Sequence, residues 1–158
     1  MNILIVDYEE PVRRSLAFVL QILGCNPIEA STPGEAEEGC TLSTASLDLI
    51  VVNDQVSNPL IPDLVRKART HGFNGKFLVL SAYLSPRKKR EYHRLGVAGV
   101  LSTSFEVADL RHWLACLPDG FSTKREPQYF PAECRFGKTV ECWGPRKGET
   151  DRAEIVCD

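Results

Sequence analysis

The sequence lacks the features that would mark a membrane protein, a nucleic-acid binder or an ordinary enzyme. No apolar run in its 158 residues approaches the roughly 20 that a bilayer-spanning helix needs. The opening residues, Met1-Asn2-Ile3-Leu4-Ile5-Val6-Asp7, have neither the basic flank nor the small-residue cleavage site of a secretion signal. They read as a strand that starts a fold at once. A formal charge of -2 gives no global attraction to nucleic acid or to an anionic membrane. No Gly-rich phosphate loop follows the first strand, and no Ser/His/Asp set stands at strand ends, so we expect no enzyme of the hydrolase or oxidoreductase kind. Cys-x-x-Cys is missing, and all three histidines (His71, His93, His112) precede the cysteines of the C-terminal stretch. Spacing along the chain therefore frames no zinc site. The expectation is a cytoplasmic protein with mostly reduced thiols.

What is present is an ordinary globular composition, 43% apolar and 25% charged, with length enough to bury a core. The clearest segment is Leu47-Asp48-Leu49-Ile50-Val51-Val52-Asn53-Asp54. Its short, β-branched apolar run suits a strand buried on both faces of a parallel sheet. It breaks into an amide and a carboxylate, at the strand end where such sheets gather ligands and chemistry.

Similar strands are expected at Asn2 to Val6, Asn26 to Ala30, Lys76 to Leu80 and Val97 to Leu101. Helices are expected between them. The first runs from about Glu10 to Gly24, with Pro11 in its first turn, and the second opens at Thr32-Pro33. A third starts at Pro62 and ends at His71-Gly72. The fourth is capped at Ser85-Pro86 and runs to Leu95. The last follows a capping box at Thr103-Ser104-Phe105-Glu106 and carries Val107, Leu110, Trp113, Leu114 and Leu117. Five strands alternating with five helices imply an α/β, doubly wound parallel sheet of flavodoxin-like order 2-1-3-4-5. Asp7 and Asn53 then face each other across the crevice where strands one and three diverge.

Residues 1–118 form this domain, and residues 119–158 read as an irregular tail with one hairpin candidate at 132–143, which would set Cys134 opposite Cys142. With Cys157, these thiols raise one alternative of another class, a thiol- or metal-regulated sensor.

The first 117 residues resemble the receiver domain of bacterial two-component response regulators. Ile3-Leu4-Ile5-Val6-Asp7-Tyr8-Glu9-Glu10-Pro11 is similar to that family's first strand and acidic cluster, and Asp48-Leu49-Ile50-Val51-Val52-Asn53 to its phosphoacceptor strand. Leu78-Val79-Leu80-Ser81-Ala82-Tyr83 is similar to the strand bearing its switch hydroxyl. Leu95-Gly96-Val97-Ala98-Gly99-Val100-Leu101-Ser102-Thr103-Ser104-Phe105 is similar to the strand that normally ends in Lys-Pro-Phe.

The resemblance implies a phosphorelay role and also shows what has changed. Tyr8 stands in the acidic pair, Asn53 at the phosphoacceptor, Thr103 at the lysine, Ser104 at the proline and Val100 at the aromatic switch position. Asp7 and the hydroxyl of Ser81 keep the family's type. An amide cannot form an acyl phosphate, and Mg²⁺ is usually held by one or two carboxylates plus phosphate oxygens. Phosphoryl transfer also depends on charge compensation that a lysine would supply. The expectation is a degenerate receiver that acts by protein binding, without phosphorylation and without a cofactor.

The alternative within the same fold makes Asp54 the phosphoacceptor, with Mg²⁺ on Asp7 and Glu9 or Glu10. It needs a one-residue slip that would turn the strand's apolar side chains to opposite faces. For partners, the resemblance points to the face of helix four, strand five and helix five, with Arg87, Lys88, Arg90, Arg94 and Trp113 as contact residues. A histidine kinase or another signalling regulator fits there. A homodimer is left open, while membrane is not expected and nucleic acid is disfavoured.

Overall fold

Alternating apolar strands and amphipathic helices give, in a computed structural model that describes residues 1–43, 47–55, 60–117 and 140–142, a doubly wound sheet. Its elements are β1 (Asn2–Val6), α1 (Glu10–Ile22), β2 (Asn26–Ala30), α2 (Pro33–Ser43), β3 (Leu47–Asn53), α3 (Leu60–Thr70), β4 (Lys76–Ser81), α4 (Pro86–Arg94), β5 (Gly99–Ser102), α5 (Val107–Ala115) and β6 (Val140–Cys142). The first five strands are parallel in the expected order 2-1-3-4-5.

The pleat sorts each strand's residues between two apolar layers. Ile3, Ile5, Leu49, Val51, Leu78, Leu80 and Leu101 pack with Leu16, Ala17 and Leu20 of α1 and with Leu110, Trp113 and Leu114 of α5. Leu4, Val6, Ile50, Val52, Phe77, Val79 and Val100 face the other way, toward Ala36 of α2, Leu64 and Val65 of α3, and Tyr92 of α4. Both faces of the sheet are covered, which is why its strands are nearly continuous apolar runs.

Several boundaries follow from local chemistry. Ser85 is the N-cap of α4, its hydroxyl accepting from the Lys88 N–H at 3.2 Å. Gly24 and Gly96, with φ of 81° and 74°, lie just past the ends of α1 and α4 as αL stops. Helix α3 begins at Leu60, two residues before the expected Pro62, since a proline within the first turn lacks only an N–H that has no intrahelical partner.

Three expectations are corrected. The cap of α5 is not Thr103, which is exposed, but Glu106, whose backbone N–H donates to the Asp109 carboxylate at 2.9 Å. Trp113, expected at a partner surface, is only 2% exposed and lies in the α1–α5 layer. Its spacing from Leu110 and Leu114 puts it on the buried stripe of the helix.

The third concerns the sheet, which has a sixth strand. β6 pairs antiparallel with β5, Gly99 with Cys142 and Leu101 with Val140. It coincides with one arm of the hairpin candidate in the tail, and it adds to the β5 edge, a pairing that was not expected. The other arm of the expected hairpin, and with it Cys134, lies outside the described residues.

Candidate functional site

The pleat that builds the core also decides what the strand ends present. Asp7 follows Val6 and Asn53 follows Val52, both in the α2–α4 layer, so Asp7 and Asn53 turn to the opposite side and meet. The Asn53 Nδ2 donates to Asp7 Oδ2 at 2.8 Å, and both residues are buried. The other Asp7 oxygen accepts from the Glu9 backbone N–H at 2.9 Å. Asn53 Oδ1 accepts from the Gln55 N–H at 3.0 Å. This fixes the amide's orientation chemically, because a flip would set oxygen against carboxylate and N–H against N–H. Arg13 closes the rim, donating from Nη1 to the Asp7 backbone oxygen at 2.8 Å and pairing with Glu29 at 3.1 Å.

A divalent cation at this position would need lone pairs from Asp7 and residue 53 turned toward it. Both Asp7 oxygens instead accept hydrogen bonds, and residue 53 presents amide hydrogens. Glu9 and Tyr8 are exposed. Among the described residues, no three His, Cys, Asp or Glu side chains are grouped to hold a metal. The donor set does not fit Mg²⁺, and no step is routed through it.

Asp54 goes the other way. The strand register puts Asn53 beside Leu80, with no slip, and the Asp54 N–H extends the ladder by one bond to the Leu80 oxygen at 2.8 Å. By the same alternation, Asp54 and Ser81 share the α4 side of the sheet. Asp54 Oδ2 accepts from Ser81 Oγ at 2.5 Å, from Lys88 Nζ at 2.8 Å and from the Tyr92 hydroxyl at 3.3 Å. The carboxylate side chain is 3% exposed, against 42% for Lys88. Ser81 Oγ also lies 3.0 Å from the Tyr83 backbone oxygen, but it has one proton, and the shorter contact is to the charged acceptor. Burial first, then the neighbouring Asp54 charge, pushes the Tyr92 hydroxyl well above the usual phenol range.

Of the residues expected at the site, the structure brings together Asp7 with Asn53, and Asp54 with Ser81. Val100 is buried opposite Val79 in the sheet, whereas Thr103 stands exposed past the end of β5. Lys88, read as part of a basic contact face, is a partner of Asp54. Arg87, Arg90 and Arg94 are exposed. A shallow surface groove along α4 is lined by Pro86, Lys89, Arg90, His93 and Arg94. Tyr92 was missed as a site residue. Its signal was available, because Lys88, Tyr92 and Leu95 recur at helical spacing on one face of α4.

No family model matches the sequence, and no curated protein does so. Solved structures do. The chain is similar to a CheY-like response regulator receiver domain protein from Methanospirillum hungatei, at 20% identity and a TM-score of 0.62, over 70% of this chain and 87% of that one. The receiver domain of the hybrid histidine kinase CckA aligns at 23% identity and a TM-score of 0.58, over 71% and 94% of the two chains. The Vibrio cholerae chemotaxis protein CheY4 aligns at 24% identity and a TM-score of 0.62, over 69% and 91%. At these identities the likeness is one of fold: the chain has the receiver-domain fold.

Proposed function

We propose that this protein is an atypical receiver in two-component or phosphorelay signalling, one that works by binding other proteins and is not switched by phosphorylation at the end of β3. The observation that carries this reading is the Asn53 amide, donated to Asp7 at 2.8 Å where a phosphoacceptor receiver would present a carboxylate. A delocalised amide nitrogen is no nucleophile for a phosphoryl group, and the hydrogen bond holds one arrangement of the crevice. The exposed arginines of α4 (Arg87, Arg90, Arg94) then supply a positive face for an acidic surface on a signalling partner, such as a histidine kinase or another regulator. On this reading the protein is a cytoplasmic binding module and not an enzyme.

The rival reading makes Asp54 the phosphoacceptor, and what favours it is the hydroxyl of Ser81 and the ammonium of Lys88 beside the carboxylate. Against it stand the near-complete burial of that side chain and the three donors already on one oxygen. Incubating the full chain with a small acyl phosphate and Mg²⁺, then measuring intact mass, separates the two. An unchanged mass is expected. A base-labile gain of about 80 Da would overturn the proposal, and its loss in Asp54→Ala would hand the role to Asp54.

A further inference from the structure

We propose that the outer edge of β5 is a docking site for an extended segment of a signalling partner, which adds to the sheet as an antiparallel strand in the place that β6 holds. This rests on the reading of the protein as a binding module and names the surface it binds with. The sheet ends in β2 on one side and, β6 apart, in β5 on the other. The β2 edge carries two devices that blunt an edge, Pro27 and the exposed charge of Glu29. β5, Gly99-Val100-Leu101-Ser102, carries neither proline nor charge. Val100 and Leu101 are 3% and 0% exposed, so the side chains of β5 are spent on the core. What its edge offers is backbone, a row of N–H and C=O groups that must be paired.

β6 shows that a strand fits there and in which direction. Its own hold is slight. It is 3 residues long, and ordering a residue costs free energy of the same size as its ladder bonds return. No hairpin joins β5 to β6. The chain between them runs through α5 and residues 118–139, so the pairing also bears the closure entropy of a long connection. A partner segment that pairs along all of Gly99–Ser102 displaces β6 and leaves both apolar layers in place.

The register sets the pattern such a segment needs. Leu101 belongs to the layer of Leu110, Trp113 and Leu114 of α5, and Val100 to the layer of Tyr92 of α4. A residue set opposite Val100 therefore lies on the side of α4, whose exposed side chains include Arg87, Arg90 and Arg94. Residues opposite Gly99 and Leu101 lie on the apolar α5 side. The complementary order is apolar, acidic, apolar, and Val140-Glu141-Cys142 has that order in sequence. Main-chain bonds supply the affinity and the alternating side chains the selection.

The probe is a fluorescein-labelled peptide of residues 137–144 carrying Cys142→Ser, followed by anisotropy under reductant. The opened protein is the full chain with Val140→Pro and Glu141→Pro. Neighbouring strand residues point their N–H groups to opposite sides, so one of the two prolines removes a ladder donor however β6 is phased. In the wild type, β6 competes from within the chain at an effective concentration on the order of millimolar, so the peptide should bind the opened variant at least about 10-fold more tightly. Amide exchange in residues 99–102 should quicken in that variant and slow again with peptide. A peptide with Glu141→Lys should bind more weakly. Far-UV circular dichroism checks the fold, and where the prolines disturb it, Val140→Gly with Glu141→Gly weakens β6 while keeping every donor. No binding to the opened variant, equal binding to both proteins, or bound peptide that leaves residues 99–102 unprotected would each overturn the site. An opened variant that dimerises and excludes the peptide would give the edge to a second copy and overturn the partner. None of these outcomes bears on the intact-mass test at Asn53, so the two readings fail separately.

Discussion

Asp7 and Asp54 are buried carboxylates at the ends of adjacent strands, and they are satisfied by opposite means. Asp7 is held by neutral donors, an amide and a backbone N–H, that belong to the β1–β3 frame and the entry to α1. Asp54 is held by a lysine and two hydroxyls that come from the end of β4 and from α4. The first arrangement fixes the crevice without reference to any other helix. The second ties the position of α4 to the sheet. One residue of strand alternation separates the two: the pleat sends Asn53 to the α1 side and Asp54 to the α4 side.

The largest test of this contrast is Asn53→Asp. It puts a second carboxylate against Asp7, where the nearby Arg13 guanidinium is already engaged by the Asp7 backbone oxygen and by Glu29, and we expect a loss of about 3 kcal/mol at neutral pH. Protonating either carboxylate relieves the repulsion, so the loss should fade as pH falls. Millimolar Mg²⁺ should also recover part of it, because two facing carboxylates supply the charge that one carboxylate and an amide do not. Urea unfolding at pH 5 and pH 7, with and without Mg²⁺, reads all three effects. A variant as stable as the wild type at neutral pH without divalent ions would show that Asp7 and position 53 are not in contact.

The next test uses the asymmetry of the Asp54–Lys88 pair. Lys88→Met leaves a nearly inaccessible carboxylate with hydroxyl donors alone, at a cost of about 2 kcal/mol, reduced from the fully buried case because Lys88 itself is half in water. Asp54→Asn should cost less, about 1 kcal/mol, since the lysine can turn out to solvent. The double variant should recover part of the Lys88→Met loss. Additive losses across this cycle would break the comparison, because they would mean that the two groups do not act on each other.

Most of the fold was legible because each central strand is a short, mostly apolar run that pairs with its neighbours in a simple order. Asn53 and Asp7 were legible for the same reason, as each ends such a run. Lys88 was not, for it sits in Pro86-Arg87-Lys88-Lys89-Arg90, where composition reads as a solvated basic face and only the four-residue step to Tyr92 marks it as inward. Trp113 was misplaced when its residue type was weighed above its spacing from Leu110 and Leu114. β6 was legible as one arm of the hairpin candidate at 132–143, but its pairing with β5 was not, since that strand lies about 40 positions earlier.

The smallest expected effect belongs to the third donor on Asp54. Tyr92 is buried, and its hydroxyl reaches Oδ2 at 3.3 Å, a long bond, so Tyr92→Phe should cost only about 0.5–1 kcal/mol at neutral pH. Its distinguishing mark lies in alkali. Burial, and after it the Asp54 charge, keep the phenol protonated in the folded state beyond the point where an unfolded tyrosine ionises, near pH 10. Above that pH the folded protein binds more protons than the unfolded chain, so stability is unaffected below about pH 10 and falls as pH rises past it. Tyr92→Phe removes this contribution. Unfolding free energies measured from pH 8 to pH 11 should fall less steeply for the variant than for the wild type. The same alkaline slope in both proteins would mean that the ring is hydrated, and that Asp54 is held by Ser81 and Lys88 alone.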